Sequence, residues 1–438
     1  IEGMLTLQPE IAQAMVSGGM PLSGQRIPFQ AGRFWDARLP NQFAFEAAHG
    51  FAWLKDLAVL GTPTATRLAQ RLVSEWVERF ASGTGKGWQP GPTGQRAMAL
   101  VLHHRVVFSG LSQSDQAKLL SVLARHRAYL DQRAKAPDHD TAVLSGLSGL
   151  IFCHLALGSD PAEAARDFAM RLASASKGLT SRAPEDVMHA FSDLVAVRAA
   201  LGEAGVPLEK TLEAVGADWA AGLRYLRLRD GSLPRFHGGG AGAEGRLDRL
   251  LSDSGVRATF HPKLWMGYAR LTGGRVVAVL DCAKPALRHH ASSLAHAGTL
   301  SFELTSGRRA MVVNCGPGRG AENGWPLRAR ETASHSTVAL DTAPSSTFAP
   351  PDPTLQVSEA ILVDGPKTVT LDRGNDASGH WLTATHDGYG ARYNLIHERR
   401  IFVEAQGREV RGEDLLRPPS TTAKPKDRNR LRVAARRG

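Results

Sequence analysis

Two histidine-containing motifs hold the residues of this chain best suited to chemistry. The first reads Ala-His-Ala-Gly-Thr-Leu-Ser-Phe-Glu-Leu from Ala295 to Leu304, and the second reads Arg-Glu-Thr-Ala-Ser-His-Ser-Thr from Arg330 to Thr337. Each leads into a short run of apolar and β-branched residues, which predicts that His296 and His335 stand at the starts of two β-strands. Because imidazole carries protons and binds metals, both chemistries are open to this pair.

Other candidate binding residues precede the first motif. His139 follows Asp138 just before an apolar segment, where the stretch is either a helix N-cap or a grip on an anionic ligand. Arg182, two residues before Pro184, marks either a solvated helix start or a guanidinium directed at an anion. Trp88 and Arg96 belong to a stretch that connects two helices, where they could stack on a sugar and bind it.

The first half of the chain has a helical pattern that must position these residues. Between Thr64 and Ala81 the apolar positions recur every three to four residues, which gives one buried stripe. Similar stripes occupy 45–60, 95–109, 114–130, 140–158, 161–176, 184–202 and 208–228. The short breaks between them predict antiparallel helix pairs in a solenoid or a closed ring, and we assign residues 1–229 to this domain.

The second half changes to short β-branched runs bounded by turn residues. The predicted strands are 275–281, 299–304, 310–314, 337–341, 359–363, 368–372, 381–385, 395–404 and 409–411. Because no helical pattern separates them, they predict an antiparallel β-sandwich over residues 263–416. A Gly-rich crossover, 230–262, joins the two domains. It contains a GxGxxG pattern, but a helix precedes it where a dinucleotide site requires a strand.

Composition limits the possible partners and compartments. The chain has 438 residues and a net charge of +11, of which Arg417–Gly438 contributes eight Lys/Arg and one Asp. This basic tail, 417–438, lacks aromatic residues for base stacking, so a nucleic-acid partner is not predicted. No apolar run is long enough for a membrane span. Three cysteines in unlike contexts suit a reducing compartment. We expect a cytoplasmic protein if the N-terminus is complete, and a periplasmic one if a leader preceded Ile1.

The order of the domains and four motifs carry a family resemblance. A helical half followed by an antiparallel sandwich resembles the heparinase II/III family of polysaccharide lyases. The matching stretches are His296–Leu304, Val312–Gly316, Arg330–Thr337 and Ile396–Ile401. The resemblance implies an incomplete (α/α) toroid joined to a β-sandwich, with an acidic, uronate-containing polysaccharide bound in the cleft between them. It also implies β-elimination as the reaction.

β-Elimination requires three kinds of group. One neutralises the uronate carboxylate, a base takes the C5 proton, and an acid protonates the leaving oxygen. The resemblance implies His237 as the base, with His139 and Tyr268 as further candidates for the catalytic set. The residues that it implies for substrate binding are Arg182, Trp88, Arg96 and Asn314.

The sequence also departs from the family pattern. Leu294 stands where the lyases commonly carry a second histidine, and Phe236 stands where a catalytic tyrosine is expected. His296 and His335 match positions that can bind a structural zinc, but Asn314 takes the place of the acidic ligand. Two imidazoles and an amide make a weaker zinc site than two imidazoles and a carboxylate. No cofactor is therefore required.

These departures leave other functions open. A carbohydrate-binding or regulatory protein could keep the scaffold while losing the catalytic set. A glycoside hydrolase would need two carboxyl groups at a suitable separation. The short remainder of chain after Gly412 leaves room for an exposed sheet edge, which a partner chain or the tail segment could cover. A homo-oligomer is among the partners that we consider.

Overall fold

The computed structural model describes residues 9–22, 24–29, 33–133, 141–175, 179–207, 210–257, 264–318, 324–341, 343–352 and 359–419. The chain divides into two compact units. Unit 1 comprises Ile1–Ser176, His189–Asp218 and Arg249–Val256. Unit 2 comprises Lys177–Met188, Trp219–Asp248 and Arg257–Gly438. Two segments that precede the predicted sandwich, 177–188 in the helical half and 219–248 across the end of that half and the crossover, thus belong to the unit that contains the C-terminal sheets.

The helices follow the predicted stripes closely. The stripes at 45–60 and 95–109 are each divided into two helices, the first at Gly50 and the second at His103, which caps one helix and precedes the next. The helices are α1 (Pro9–Val16), α2 (Gln42–His49), α3 (Leu54–Leu60), α4 (Pro63–Phe80), α5 (Pro90–Leu102), α6 (His104–Phe108), α7 (Gln113–Arg133), α8 (Thr141–Ala156), α9 (Ala162–Ala175), α10 (Pro184–Glu203), α11 (Lys210–Leu226), α12 (Arg246–Asp253), α13 (Trp325–Arg328) and α14 (Gly390–Tyr393).

The strands are β1 (Gly19–Leu22), β2 (Gln25–Pro28), β3 (Tyr268–Gly273), β4 (Val276–Asp281), β5 (Phe302–Ser306), β6 (Arg309–Val312), β7 (Thr347–Ala349), β8 (Ile361–Asp364), β9 (Val369–Asp376), β10 (Gly379–His386), β11 (Ile396–Glu404) and β12 (Val410–Arg417). The pattern of the sequence did not predict β7 or the β1–β2 hairpin.

Unit 1 is held together by a large apolar core and by one close helix contact. Helices α5 and α8 approach through glycines: a Cβ added to Gly94 would lie 2.0 Å from the carbonyl oxygen of Ser145, and one added to Gly149 would lie 2.4 Å from the Cα of Gly94. Such separations allow only glycine at the crossing. The packing of these two helices therefore depends on the absence of two side chains.

Unit 2 contains two four-stranded antiparallel sheets, with strand orders β3-β4-β5-β6 and β12-β11-β10-β9. Buried apolar side chains from both sheets form one core, to which Leu271, Leu304, Leu382, Ile401 and Val403 contribute. Glycine-containing turns connect β3 to β4, β5 to β6 and β11 to β12, as the sequence predicts. The predicted antiparallel sandwich is therefore present in this unit.

The two histidine motifs are not the strand starts that the sequence predicts. Strand β5 begins only at Phe302, because Leu300 has a φ of 62° and turns the chain before the ladder starts. His335 follows a 3₁₀ turn at Thr332–Ser334, and no strand forms over the described residues 337–341. The hydroxyls of Ser336 and Thr337 donate instead to backbone carbonyls of the preceding motif. Side-chain hydrogen bonds thus replace the ladder expected here.

Among the helices of the described residues, none is both long enough and apolar enough to cross a lipid bilayer.

Candidate functional site

A buried cluster in unit 2 centres on Asp281, the last residue of β4. Its Oδ2 lies 2.8 Å from Nε2 of His237, and its Oδ1 accepts a hydrogen bond from Nη2 of Arg182. His237 and Asp281 are 2% and 1% exposed, so this contact is shielded from solvent. Burial alone would raise the pKa of Asp281, but Arg182 and His237 outweigh it and hold the pKa at about 2. Asp281 is therefore a carboxylate that neutralises a buried guanidinium.

Two further imidazoles, those of His296 and His335, adjoin His237. The backbone N–H of His296 donates to Nδ1 of His237 at 3.2 Å, and Nε2 of His296 accepts from the N–H of Gly238 at 2.9 Å. Nδ1 of His296 lies 2.9 Å from Nε2 of His335, and Nδ1 of His335 lies 2.7 Å from the carbonyl oxygen of Glu331. The three imidazoles thus belong to one continuous hydrogen-bond network.

These partners fix one set of tautomers. His237 carries its proton on Nε2, facing Asp281, because its Nδ1 accepts from a backbone N–H. His335 donates from Nδ1 to Glu331, so its Nε2 accepts the proton on Nδ1 of His296. Burial lowers the pKa of His335 to about 4 and, against the opposing charge of Asp281, also lowers that of His237. Every ring nitrogen of the three imidazoles therefore has a partner within the protein.

Residues with unusual backbone conformations position the side chains of this cluster. Arg182 and His237 have φ values of 55° and 47°, in the left-handed region that side chains other than glycine rarely adopt. The carbonyl of Met266, another such residue with φ of 51°, accepts from Nε of Arg182 at 3.0 Å. Gly298 is required beside His335, because an added Cβ would lie 2.6 Å from the imidazole Cδ2. Strained positions of this kind persist where the surrounding contacts over-determine them.

Glu303, the second residue of β5, is another buried acid of unit 2. Its Oε1 accepts from the backbone N–H groups of Arg235 and Asn314 at 2.9 and 3.1 Å, and the side chain is 0% exposed. Burial raises the pKa of Glu303 to about 7, although the hydrogen bonds from Asn314 and Arg235 oppose that rise. Because Arg235 binds Glu303 and His237 binds Asp281, both acids hold the same short stretch of the crossover.

Sequence reasoning did not single out Asp281 or Glu303 as site residues. A signal was present in both cases, since each is a lone acid in a strand whose neighbours are mostly apolar and buried. Acids are rarely buried unless they are paired. A buried strand that contains one is therefore a place to expect a polar partner.

Comparisons with known proteins show which family the C-terminal part of the chain resembles. The model of the family "Heparinase II/III-like, C-terminal" matches residues 257–436, which include Asp281, both histidine motifs and Glu303. Residues 257–436 are thus similar to a heparinase II/III-like domain. The chain is also similar to FtsZ-localized protein C of Caulobacter vibrioides, with 29% identity over 427 residues that cover 94% of this chain and 72% of that protein.

Solved structures of similar fold also cover most of the chain. Heparinase III matches with a TM-score of 0.67 and 14% identity, covering 91% of this chain and 69% of that one. The heparan sulfate lyase HepC of Pedobacter heparinus matches with a TM-score of 0.51 and 14% identity, covering 91% and 66%. At such identities the matches show the fold. They confirm the predicted class, a helical toroid followed by an antiparallel β-sandwich.

Unit 2 brings together several of the predicted site residues, but it buries them. His237, Arg182, His296 and His335 are joined in the cluster. Tyr268 is 0% exposed and donates its hydroxyl proton to the carbonyl of Arg182 at 2.7 Å. Burial raises the pKa of Tyr268 well above its usual value. We expected this phenol to serve in catalysis, but its proton is already donated to the backbone carbonyl of Arg182.

The zinc ligands suggested by the resemblance do not converge. Asn314 is directed to other partners: its Oδ1 accepts from the N–H of Ser336 at 3.0 Å, and its Nδ2 lies 3.4 Å from Glu303. His296 and His335 share a hydrogen bond where a metal would need two lone pairs. Among the described residues, no group of three or more His, Cys, Asp or Glu side chains is arranged to hold a metal ion. The described residues thus offer two adjacent imidazoles at this position, with the amide of Asn314 directed elsewhere.

Trp88 and Arg96 lie in the core of unit 1, not on a surface that a sugar could reach. Arg96 is 0% exposed, donates from Nε to His126 at 2.7 Å and stacks over Trp76 with its Cζ 3.9 Å from the ring centroid. Trp88 is 5% exposed. Desolvation lowers the pKa of Arg96 well below its usual value. The prediction that these two residues bind substrate is corrected to a structural role in packing. His139 lies outside the described residues.

Proposed function

We propose that this heparinase-like chain binds an acidic, uronate-containing polysaccharide without cleaving it by β-elimination. One observation carries the proposal: each ring nitrogen of His237, His296 and His335 has a partner within the protein. A general base needs a lone pair within reach of the substrate proton. Here Nδ1 of His237 could take that proton only after losing the N–H of His296.

The other groups required for elimination are committed in the same way. The guanidinium of Arg182, which could neutralise a uronate carboxylate, already pairs with Asp281 and donates to the carbonyl of Lys284 at 3.1 Å. Phe236 has no phenol, and it stacks on Tyr268 with ring centroids 5.0 Å apart. These contacts support a scaffold whose former reaction centre has become a structural core.

The experiment pairs a binding measurement with an activity measurement. The purified protein is incubated with heparan sulfate, hyaluronate, alginate and polygalacturonate, and the ultraviolet absorbance of an unsaturated uronate is followed. Affinity electrophoresis on the same polymers measures binding, and heparinase III acting on heparan sulfate serves as the positive control. We expect retardation by at least one polymer and no rise in absorbance. Failure to bind any of them would refute the proposal.

An active lyase is the alternative that the fold supports, because heparinase III and HepC share the toroid and sandwich. In that case His237 is the base, and the reaction produces unsaturated ends. A rise in absorbance that His237→Ala abolishes, while the thermal unfolding midpoint stays near that of the wild type, would establish the lyase over our proposal. If the variant simply unfolds, His237→Gln, which can still donate to Asp281, provides the second test.

A second candidate comes from the relative in Caulobacter vibrioides, whose name places it with FtsZ. The likeness extends over 94% of this chain, so it includes both halves and is not confined to the sandwich. A non-enzymatic protein that localises with FtsZ would need no free imidazole. Co-sedimentation with FtsZ polymers, with and without GTP, tests this role: enrichment only with polymer supports it, and equal recovery in both samples excludes it.

A further inference from the structure

A basic cavity of about 600 Å³ lies in unit 2, among residues that the histidine network does not use. Its walls come from the end of α11, from β3 and from the β9–β10 hairpin, and they include Arg224, Tyr225, Arg270, Arg373, His380 and Trp381. None of the described residues that line it is acidic. The volume is within the range typical of small-molecule sites.

The positive groups of this cavity are fixed in place. Nη1 of Arg270 donates to the carbonyl oxygens of Tyr225 and Arg227 at 2.7 and 2.6 Å. The hydroxyl of Tyr225 accepts from the N–H of Arg270 at 2.9 Å and from Nη1 of Arg373 at 3.3 Å. Tyr225 therefore connects the two guanidiniums, and the wall is organised before any ligand arrives.

Arg270 is a partly desolvated cation in this wall. Its pKa is lowered to about 10, chiefly by burial and to a smaller extent by the charges of Arg229 and Arg227, which do not line the cavity, against an opposing effect of Tyr225. A bound anion would supply a counter-charge to the arginines of the cavity, and guanidinium binds carboxylates through paired hydrogen bonds. Charge and geometry thus favour an anionic ligand.

The aromatic residues of the cavity favour a ligand larger than an inorganic anion. Trp381 pairs across the strands with Gly374, and a Cβ on that glycine would lie only 2.6 Å from the indole Cζ2. The missing side chain lets the indole lie against β9. Both Trp381 and Tyr225 are half-buried, so their rings retain exposed area on which the apolar face of a sugar can stack.

We propose that this cavity binds a carboxylated sugar residue, with Arg373 facing the carboxylate and Trp381 against the pyranose ring. The class of ligand rests on the proposed function, since a hexuronate is the unit of an acidic polysaccharide. The location does not, because it depends on this cavity alone.

The test measures binding of D-glucuronate by isothermal titration calorimetry, with D-glucose and inorganic phosphate as comparison ligands. The variants are Arg373→Ala and Trp381→Ala. Arg411→Ala is the matched control, because it also removes one positive charge but lies on exposed β12, paired with Glu409. We expect each cavity variant to weaken glucuronate binding about tenfold or more, and the control to leave it unchanged. Glucose should bind far more weakly than glucuronate.

Several outcomes would overturn the proposal. They are unchanged glucuronate affinity in both cavity variants, an equal loss in Arg411→Ala, or phosphate binding as tight as that of glucuronate. Should Arg373→Ala fail to fold, Arg373→Lys keeps the charge but not the paired hydrogen bonds, and it should weaken binding to a smaller extent. If Arg373→Ala binds a polysaccharide as tightly as the wild type does, only the cavity proposal is refuted. If the wild type binds no polysaccharide at all, the proposed function is refuted.

Discussion

At the scale of single residues, unit 2 contains two buried acids, Asp281 and Glu303, whose pKa values are shifted in opposite directions. Asp281 is charged because Arg182 and His237 contact it, and its pKa is held at about 2. Glu303 has one guanidinium partner at 3.5 Å and otherwise accepts from amide groups, so burial prevails and its pKa rises to about 7. The close guanidinium of Arg182 and the hydrogen bond from His237 therefore lower the pKa of Asp281, whereas the more distant guanidinium of Arg235 leaves burial to raise that of Glu303.

Replacing Asp281 with Asn tests the ion pair. The variant leaves the guanidinium of Arg182 buried without a counter-charge, and breaking a buried pair in this way typically costs roughly 3 to 5 kcal/mol. We expect the free energy of unfolding, measured by urea denaturation, to fall by about that amount. Glu409→Gln is the control, since its partner Arg411 is 67% exposed, and it should change stability little. Equal effects in the two variants would contradict the assignment.

Glu303→Gln tests the raised pKa. In the wild type, the folded state holds a proton on Glu303 that the unfolded chain loses, so this residue makes stability fall as pH rises from about 4.5 to about 7. His335, with a lowered pKa of about 4, acts in the opposite direction between about 4 and 6.5. The difference between variant and wild type isolates Glu303.

Denaturant unfolding at about pH 5 and about pH 8 measures that difference. We expect the stability of Glu303→Gln relative to wild type to increase between these two values by about 2.5 kcal/mol, most of the free energy that corresponds to the pKa shift. A relative stability that stays constant with pH would show that Glu303 titrates normally in the folded state.

At the scale of elements, periodicity predicted helices and most strands well, whereas it failed at the histidine motifs. The apolar stripe at 184–202 became α10 within one residue at its end, since a buried face fixes a long helix. The segment 337–341 was predicted to be a strand from its β-branched residues. Instead, the hydroxyls of Ser336 and Thr337 donate to the backbone carbonyls of Phe302 and Thr299. Side-chain hydrogen bonds to distant backbone leave no periodic trace in a sequence.

The crossing of α5 and α8 gives a prediction at this scale. Gly94→Ala and Gly149→Ala would each place a methyl group within 2.4 Å of the opposite backbone or closer, so we expect a loss of stability of roughly 1 to 3 kcal/mol or more. Gly202→Ala is the control: no atom lies within 4 Å of an added Cβ there, and alanine in α10 should stabilise by about 0.5 to 1 kcal/mol. Unfolding midpoints of the three variants decide the matter. A loss of similar size in Gly202→Ala would mean that backbone contact at the crossing is not the cause.

At the scale of the whole molecule, charge is distributed unevenly. Residues 420–438 hold seven Lys/Arg and Asp427, a large part of the net +11. Such a segment attracts any polyanion, with a strength that falls steeply with salt. The arginines of the cavity differ from it, because a defined site selects ligands by shape as well as by charge.

Deleting residues 420–438 separates these two contributions. We expect affinity for heparan sulfate and for DNA to fall together at low ionic strength, because the deleted charge does not distinguish polyanions. Affinity for D-glucuronate should stay as it is. Titrations at low and at physiological salt measure both. If the deletion abolished glucuronate binding, the ligand would be bound by the tail and not by the cavity.

The sequence by itself determined the fold class, the order of the halves, the hairpin turns and the motifs that mark the heparinase-like domain. These features are local, because spacing along a few turns or one hairpin sets them. Only the tertiary structure decided that Arg182, His237 and Asp281 meet, since the first and last are 99 residues apart and two of the three take left-handed backbone conformations. It also decided that the histidines satisfy one another. Such contacts depend on where loops from several elements pack, and that information is not contained in any single stretch of sequence.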